Sequence, residues 1–253
     1  MALARGSLLS VNVGRIRHFE FEGHPAVSAI WKTPITWRVD VSGVNLAGDD
    51  QADRAAHGGP DKAVYAYASE DLLWWTQELG RPVEPGEMGE YFTIEGIDVS
   101  AALVGERWEV GSAVFEVSEP RVPCWRLGAR MEDKLFPRRF AQAGRPGAYL
   151  RIVTEGDVGA GDEVRVIRRP DHAVTVGDIF RIFTRDRHDA ARLLTVSQMS
   201  LGWRRWAEDR RKGSELIARD RPPSPACPDA AGGAGTFYLQ RSLAVSGGFR
   251  SVR

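Results

Sequence analysis

Short runs of strand-forming residues, in a chain punctuated by glycine, dominate the first two-thirds of this sequence. They are SLLSVNVGRI (7–16), AVSAIWK (26–32), TWRVDV (36–41), RWEVGSAVFEV (107–117), AYLRIVTEG (148–156) and DEVRVIRR (162–169). In ERWEVGSAVFEVSEP, Gly111-Ser112 separates two stretches with partial period-two alternation, which predicts a hairpin. Gly159 and Gly161 mark a second turn before DEVRVI. Many short strands with turn signals between them favour a barrel or closed sheet, so the expected class is mainly β with some α.

Helical patterns are sparse before Pro170. SEDLLWWTQELG offers Ser69 as a cap, acidic residues in its first turn and Gly80 as its end. DKLFPRRFAQAG is a second candidate that Pro137 keeps short or interrupted. Beyond Pro170 the composition shifts. Thr175 with Asp178 three residues later heads AVTVGDIFRIFTRD, RHDAARLLTV follows, and MSLGWRRWAEDRRKG places Trp203 and Trp206 on one face between Ser200 and Gly213. The expected organisation is a barrel over 1–170, a small three-helix bundle over 171–213, and a Pro/Gly-rich disordered tail over 214–253 that contains an uninvolved Cys227.

At 253 residues the chain can bury one good core, with room for a small appendage. Thirty-four basic and thirty-four acidic residues cancel, which gives no support to nucleic-acid or membrane-surface binding. No apolar run approaches the roughly 20 residues of a membrane span. Polar residues interrupt the N-terminal MALARGSLLSVNVGRI before it could serve as a signal core. Two distant cysteines make no disulfide framework, so a reducing cytoplasm is the expected compartment.

Three blocks carry the candidate chemistry. In GDDQADRAAHGGPDKAVYAY, Asp49, Asp53 and His57 recur every four residues. On one helical face they could ligate a metal, but the spacing is a weak motif with no second cluster to complete it, and the favoured reading is that the aspartates cap turns and His57 anchors a loop. Gly58, Gly59 and Lys62 read as an anion-binding turn, although the spacing is not that of a P-loop and no dinucleotide fingerprint occurs. The second block, PGEMGEYFTIEG, is a ligand-facing loop or a turn into a strand. The third, EPRVPCWRLG, sets Cys124 between stiffening prolines with Arg121 and Arg126 nearby. Neighbouring cations favour a thiolate, yet free cysteines also pack as small hydrophobes, and both readings stand at this point. No serine nucleophile elbow supports a hydrolase.

In this order and spacing, the three blocks and the GAYLRIVTEGDVGAGDEV strand pair resemble the MOSC-domain family of the YiiM type over roughly residues 10–213. The resemblance implies a closed β-barrel related to the β-barrel domain of pyruvate kinase, followed by a C-terminal 3-alpha segment. It implies the molybdenum cofactor (molybdopterin), with Cys124 as catalytic residue and molybdenum ligand. His57, Gly58, Gly59, Lys62, Gly89, Glu90 and Arg121 would belong to the pterin and phosphate cradle. Either Glu90 or His57 would be the proton donor, and the sequence does not select between them. Related enzymes reduce N-hydroxylated bases such as 6-hydroxylaminopurine and so detoxify them, which implies a small-molecule substrate and a separate electron-donating reductase. The family usually carries Gly-Glu-Asn where this chain has Gly89-Glu90-Tyr91.

Two further roles fit the same resemblance. One is a sulfur carrier with a persulfide on Cys124 received from a pyridoxal-phosphate-dependent desulfurase; pyridoxal phosphate as this chain's own cofactor ranks below the pterin. The other is a cofactor-storage module. A homodimer stays open. Arg121 is the expected anion contact, and Arg126 is expected to face solvent.

Overall fold

The computed structural model describes residues 3–52 and 58–219. Seven strands close into a barrel: β1 (Arg5–Val13), β7 (Val64–Ala68), β8 (Phe92–Glu95), β9 (Arg107–Val110), β10 (Ala113–Pro120), β11 (Ala148–Thr154) and β13 (Glu163–Arg168). Around the barrel they run β1-β13-β9-β10-β11-β7-β8 and back to β1. Every neighbouring pair is antiparallel except β7–β8. The nine residues of β1 reach three partners, pairing with β13, β8 and, at their end, β4 (Thr33–Ile35). The other strands form a hairpin of β2 (Arg17–Phe21) with β3 (His24–Ser28), and a small sheet of β5 (Val39–Ser42), β6 (Asn45–Leu46) and β12 (Gly156–Val158).

The expected β9–β10 hairpin is present, with Ala113 opposite Val110 and Gly111 in the left-handed region at φ 57°. Alternate residues of β9 are buried, as its sequence period requires. All five residues of β7 are buried, because one face fills the barrel and helices cover the other. On the covered side Tyr67 accepts a 2.9 Å hydrogen bond from Trp75 Nε1 and packs against Phe140. The barrel core is largely apolar: Leu8, Phe92, Trp108 and Phe115 are fully buried, with Phe92 and Phe115 edge to face at 5.3 Å.

The helices on the outer face are α1 (Ser69–Leu79), α2 (Trp125–Arg130), α3 (Phe136–Ala143), α4 (Val176–Thr184) and α5 (Leu201–Arg219). Several ends differ from the sequence reading. Ser69 lies inside the first turn of α1, its hydroxyl bonded to Glu70, while Ala68 takes the cap position. Gly80 does end α1 in the left-handed conformation. Residues Arg187–Thr195 wind as a 3-10 segment, with no side chain capping their start. Helix α5 continues through Gly213 to Arg219, and what remains of the expected tail (220–253) lies outside the described residues. Among the described residues no helix is long and apolar enough to cross a membrane.

Candidate functional site

Strand β10 runs out at Pro120, still paired with Ala148 of β11, and Arg121–Cys124 carries the chain across the barrel mouth into α2. Cys124 occupies the N-cap of α2 in extended backbone (φ −122°, ψ 172°), and its side chain makes no capping bond. It is a free, half-buried thiol. Two cavities meet at this residue, sharing Val122, Cys124 and Tyr149 in their walls.

The inner cavity, of about 90 Å³, carries two buried cations, Lys32 and Arg121. Arg121 donates to the Met88 carbonyl oxygen and lies 4.9 Å from the centre of the Tyr65 ring. Among the described residues it has no carboxylate within ion-pair distance. A buried guanidinium without an anion is costly, so this wall favours negative charge beside it. Arg121, Cys124 and Tyr149 interact electrostatically, and burial pushes the Tyr149 phenol up to about 12. Lys32 instead has a partner: it forms a buried ion pair with Asp49, which also accepts from the Gly14 N–H at 2.7 Å. Burial lowers Lys32 and raises Asp49, each resisted by the other's charge. The Lys32 ammonium sits 3.6 Å from the centre of the Tyr91 ring.

The outer cleft, of about 520 Å³, runs from Gly58, Gly59 and Lys62 past Cys124 to the C-terminal helices. Lys62 lies 3.7 Å from Glu119, whose carboxyl burial raises, resisted by the neighbouring Ser200 hydroxyl and the Lys62 charge.

The structure therefore brings Cys124 together with Gly58, Gly59 and Lys62 on one side and with Gly89 and Arg121 on the other. Gly89 is needed where it stands: at φ 77°, a Cβ would lie 2.7 Å from Ile30 Cγ1. Glu90 lines neither cavity. It is fully buried behind the inner one, where Oε1 accepts from the Gly86 N–H (2.6 Å) and the Thr93 hydroxyl (3.0 Å), while Oε2 has no partner. Burial raises it to about 7.

His57 and Asp53 lie outside the described residues. Asp49 stands in a loop rather than on a helical face, engaged by Lys32, which removes the helical metal reading at that end. Among the described residues no three His, Cys, Asp or Glu side chains come together as a metal site. Arg126 does not simply face solvent: it lines the inner cavity, half-buried, its guanidinium 4.9 Å from the Trp125 ring centre. Lys32, Tyr65 and Tyr149 were not legible as site residues, because each sits in or beside a strand whose sequence reads as structural.

Fold and site together define a closed-barrel protein with, among the described residues, a single thiol at the barrel mouth, between a cationic pocket and a larger cleft. The sequence model of the MOSC domain matches residues 53–165. The uncharacterized protein YflK of Bacillus subtilis is 33% identical over 210 residues, covering 81% of this chain and 94% of that protein. A Gibberella moniliformis protein named "Reductase" is 31% identical over 183 residues, 70% of this chain and 32% of that protein. The crystal structure of YiiM from Geobacillus stearothermophilus superposes with a TM-score of 0.68 at 28% identity, covering 81% of this chain and 98% of that one. The chain belongs to the MOSC-domain family, in its YiiM branch.

Proposed function

We propose that this chain binds the molybdenum cofactor through Cys124 and reduces N-hydroxylated compounds. The observation that carries the reading is the position of Cys124, a free half-buried thiol at the junction of two cavities, beside a buried Arg121 that lacks a carboxylate partner among the described residues. MOSC domains are associated with this cofactor in general, and a relative named as a reductase supports the reaction class.

The residues fit such a group by their donor chemistry. One thiolate is the soft protein ligand that a metal already held by dithiolene sulfurs requires. Arg121 supplies positive charge in the inner wall, for the thiolate and for anionic parts of the ligand. At the other rim, the Gly58-Gly59 turn and Lys62 offer backbone N–H groups and an ammonium suited to a phosphate. When bound, the group would supply the two electrons that break an N–O bond; of the two protons taken up, one stays on the nitrogen and the other leaves with the hydroxyl as water. The electrons come from a separate reductase. Glu90, behind the inner wall, is placed to act on the site through its neighbours rather than to touch a substrate.

The test is elemental analysis of protein purified from a host that makes the cofactor. Near-stoichiometric molybdenum is expected, falling to background in Cys124→Ala, together with reduction of 6-hydroxylaminopurine by reduced methyl viologen. A molybdenum-free protein carrying a labile persulfide on Cys124 would overturn the reading in favour of a sulfur carrier. Bound molybdenum without turnover would leave a storage module.

A further inference from the structure

We propose that Lys32 is the proton donor of the reaction at Cys124, giving a proton from Nζ to the hydroxyl that leaves the substrate nitrogen. The inference rests on the reductase reading of Cys124 and adds to it a catalytic residue that no motif block contains.

Breaking an N–OH bond with two electrons takes up two protons, and the hydroxyl leaves far more readily once protonated to water. A donor must therefore stand in the wall of the site. Glu90, one of the two residues expected for that task, lines neither cavity, and its Oε1 already accepts from Gly86 and Thr93. His57, the other, lies outside the described residues. Lys32 does line the inner cavity, together with Cys124, Arg121 and three tyrosines. These groups differ in how readily they release a proton. Arg121 stays charged throughout the working range. Burial pushes the phenols of Tyr65, Tyr91 and Tyr149 up, so each holds its proton more tightly. On an ammonium burial acts in the opposite sense, and it loosens the proton of Lys32. Among the cationic and phenolic groups described in this wall, Lys32 is the one that its surroundings make a stronger acid.

The fold also fixes where that proton stands. Lys32 lies between the β2–β3 hairpin and β4, its side chain only 4% exposed. Its Nζ is paired with Asp49, whose Oδ1 is held in turn by the Gly14 N–H at 2.7 Å, and it sits 3.6 Å from the centre of the Tyr91 ring. The charges of Asp49 and Glu90 keep the proton on Nζ, while Arg121 in the same wall works against it. In the step, the N–O bond breaks as two electrons arrive from the loaded cofactor. One Nζ–H bond breaks with it, and an O–H bond forms on the departing hydroxyl, which leaves as water. The second proton reaches the nitrogen from solvent. Lys32 is left as a neutral amine beside Asp49 and regains its proton from solvent before the next turnover.

The experiment uses the molybdenum-loaded full chain and its Lys32→Arg variant, which keeps the charge and the pair with Asp49 but does not give up its proton. Molybdenum content and the denaturant unfolding midpoint are expected to match the wild type. With 6-hydroxylaminopurine as substrate and reduced methyl viologen as electron donor, kcat is expected to fall at least about a hundredfold, the scale of a lost general acid. The donor works only while protonated, so wild-type kcat should decline as pH rises through the titration of Lys32, and this limb should be absent from Lys32→Arg. Where the arginine does not fit, Lys32→Met combined with Asp49→Asn removes both charges together and leaves no buried carboxylate unpaired; the same loss of kcat is expected. Lysine-selective nitrogen NMR reads the group without turnover. The signal lost in Lys32→Arg is expected to titrate below the ordinary lysine range. A loaded Lys32→Arg that turns over within about threefold of the wild type, with the same pH profile, would overturn the assignment. So would a variant that loses molybdenum but keeps wild-type turnover per bound molybdenum, which would make Lys32 a cofactor contact. A wild-type protein without molybdenum overturns the reductase reading itself, and the donor role with it.

Discussion

Glu90 is the residue whose setting departs furthest from ordinary glutamate chemistry. Its Oε1 is held by Gly86 and Thr93, and Thr93 continues through Asn12 to Ser10 in a buried polar chain. Its Oε2 has no partner, so ionisation would leave charge unpaired in the barrel, and the carboxyl keeps its proton up to about pH 7. In the unfolded chain the same group ionises near 4.5. Between those values the folded state binds more protons than the unfolded one, so raising the pH through this window removes stability, about 3 kcal/mol in all, and above it the loss is complete. Glu90→Gln keeps the acceptor for Gly86 and Thr93 and cannot ionise. Denaturant unfolding of both proteins from pH 5 to 8 should show the wild type losing ground to the variant as pH rises; a difference that stays flat would refute the assignment. The motif blocks revealed Glu90 as a residue of interest but not its place behind the wall. Tyr91, the departure from the family's usual asparagine, proves to be the aromatic platform under the Lys32 ammonium, a pairing that joins residues far apart in sequence.

At the scale of elements, legibility followed how completely each segment is buried. The β9–β10 hairpin could be read because its turn needs Gly111 and because β9 alternates between core and surface. Strand β7 could not, since burial on both faces erases the alternation. Helix α4 was legible from its start: Thr175 Oγ1 accepts from the Asp178 N–H at 2.9 Å, and Asp178 accepts in return from the Thr175 N–H at 3.1 Å. Gly213 misled, because glycine inside a helix costs only about 1 kcal/mol and caps one by taking the left-handed conformation itself, as Gly80 does. The capping box holds the helix that presents Phe183 to the outer cleft. Thr175→Ala should therefore lower global stability by about 1 kcal/mol in urea titration. A loss below a few tenths would mean that tertiary packing alone fixes the start of α4.

For the whole molecule, the question is whether the C-terminal helices form an appendage or part of the barrel's own core. Sequence composition changes at Pro170, yet the buried apolar residues on both sides form one continuous cluster. The junction is also tied by backbone: Val104 N–H donates to Val174 O, and Val176 N–H to Ala102 O at 2.9 Å. Farther out, Arg151 of β11 donates to the Gln198 carbonyl oxygen at 3.0 Å, and Arg185 to that of Gln142 at 2.6 Å. Phe180 is the keystone of this contact, 1% exposed on α4 and edge to face with Phe140 of α3 at 6.4 Å. If the two parts share a core, cutting that side chain back must weaken both. Phe180→Ala is expected to cost about 3–5 kcal/mol and to leave a single unfolding transition. Tryptophan fluorescence samples Trp75 and Trp108 by the barrel and Trp203 and Trp206 on α5, while far-UV circular dichroism follows the backbone. Coincident curves from the two probes, both shifted in the variant, are the expected result. A separate early transition confined to the helices would make them an independent unit, and the outer half of the cleft at Cys124 would then be able to open without the barrel unfolding.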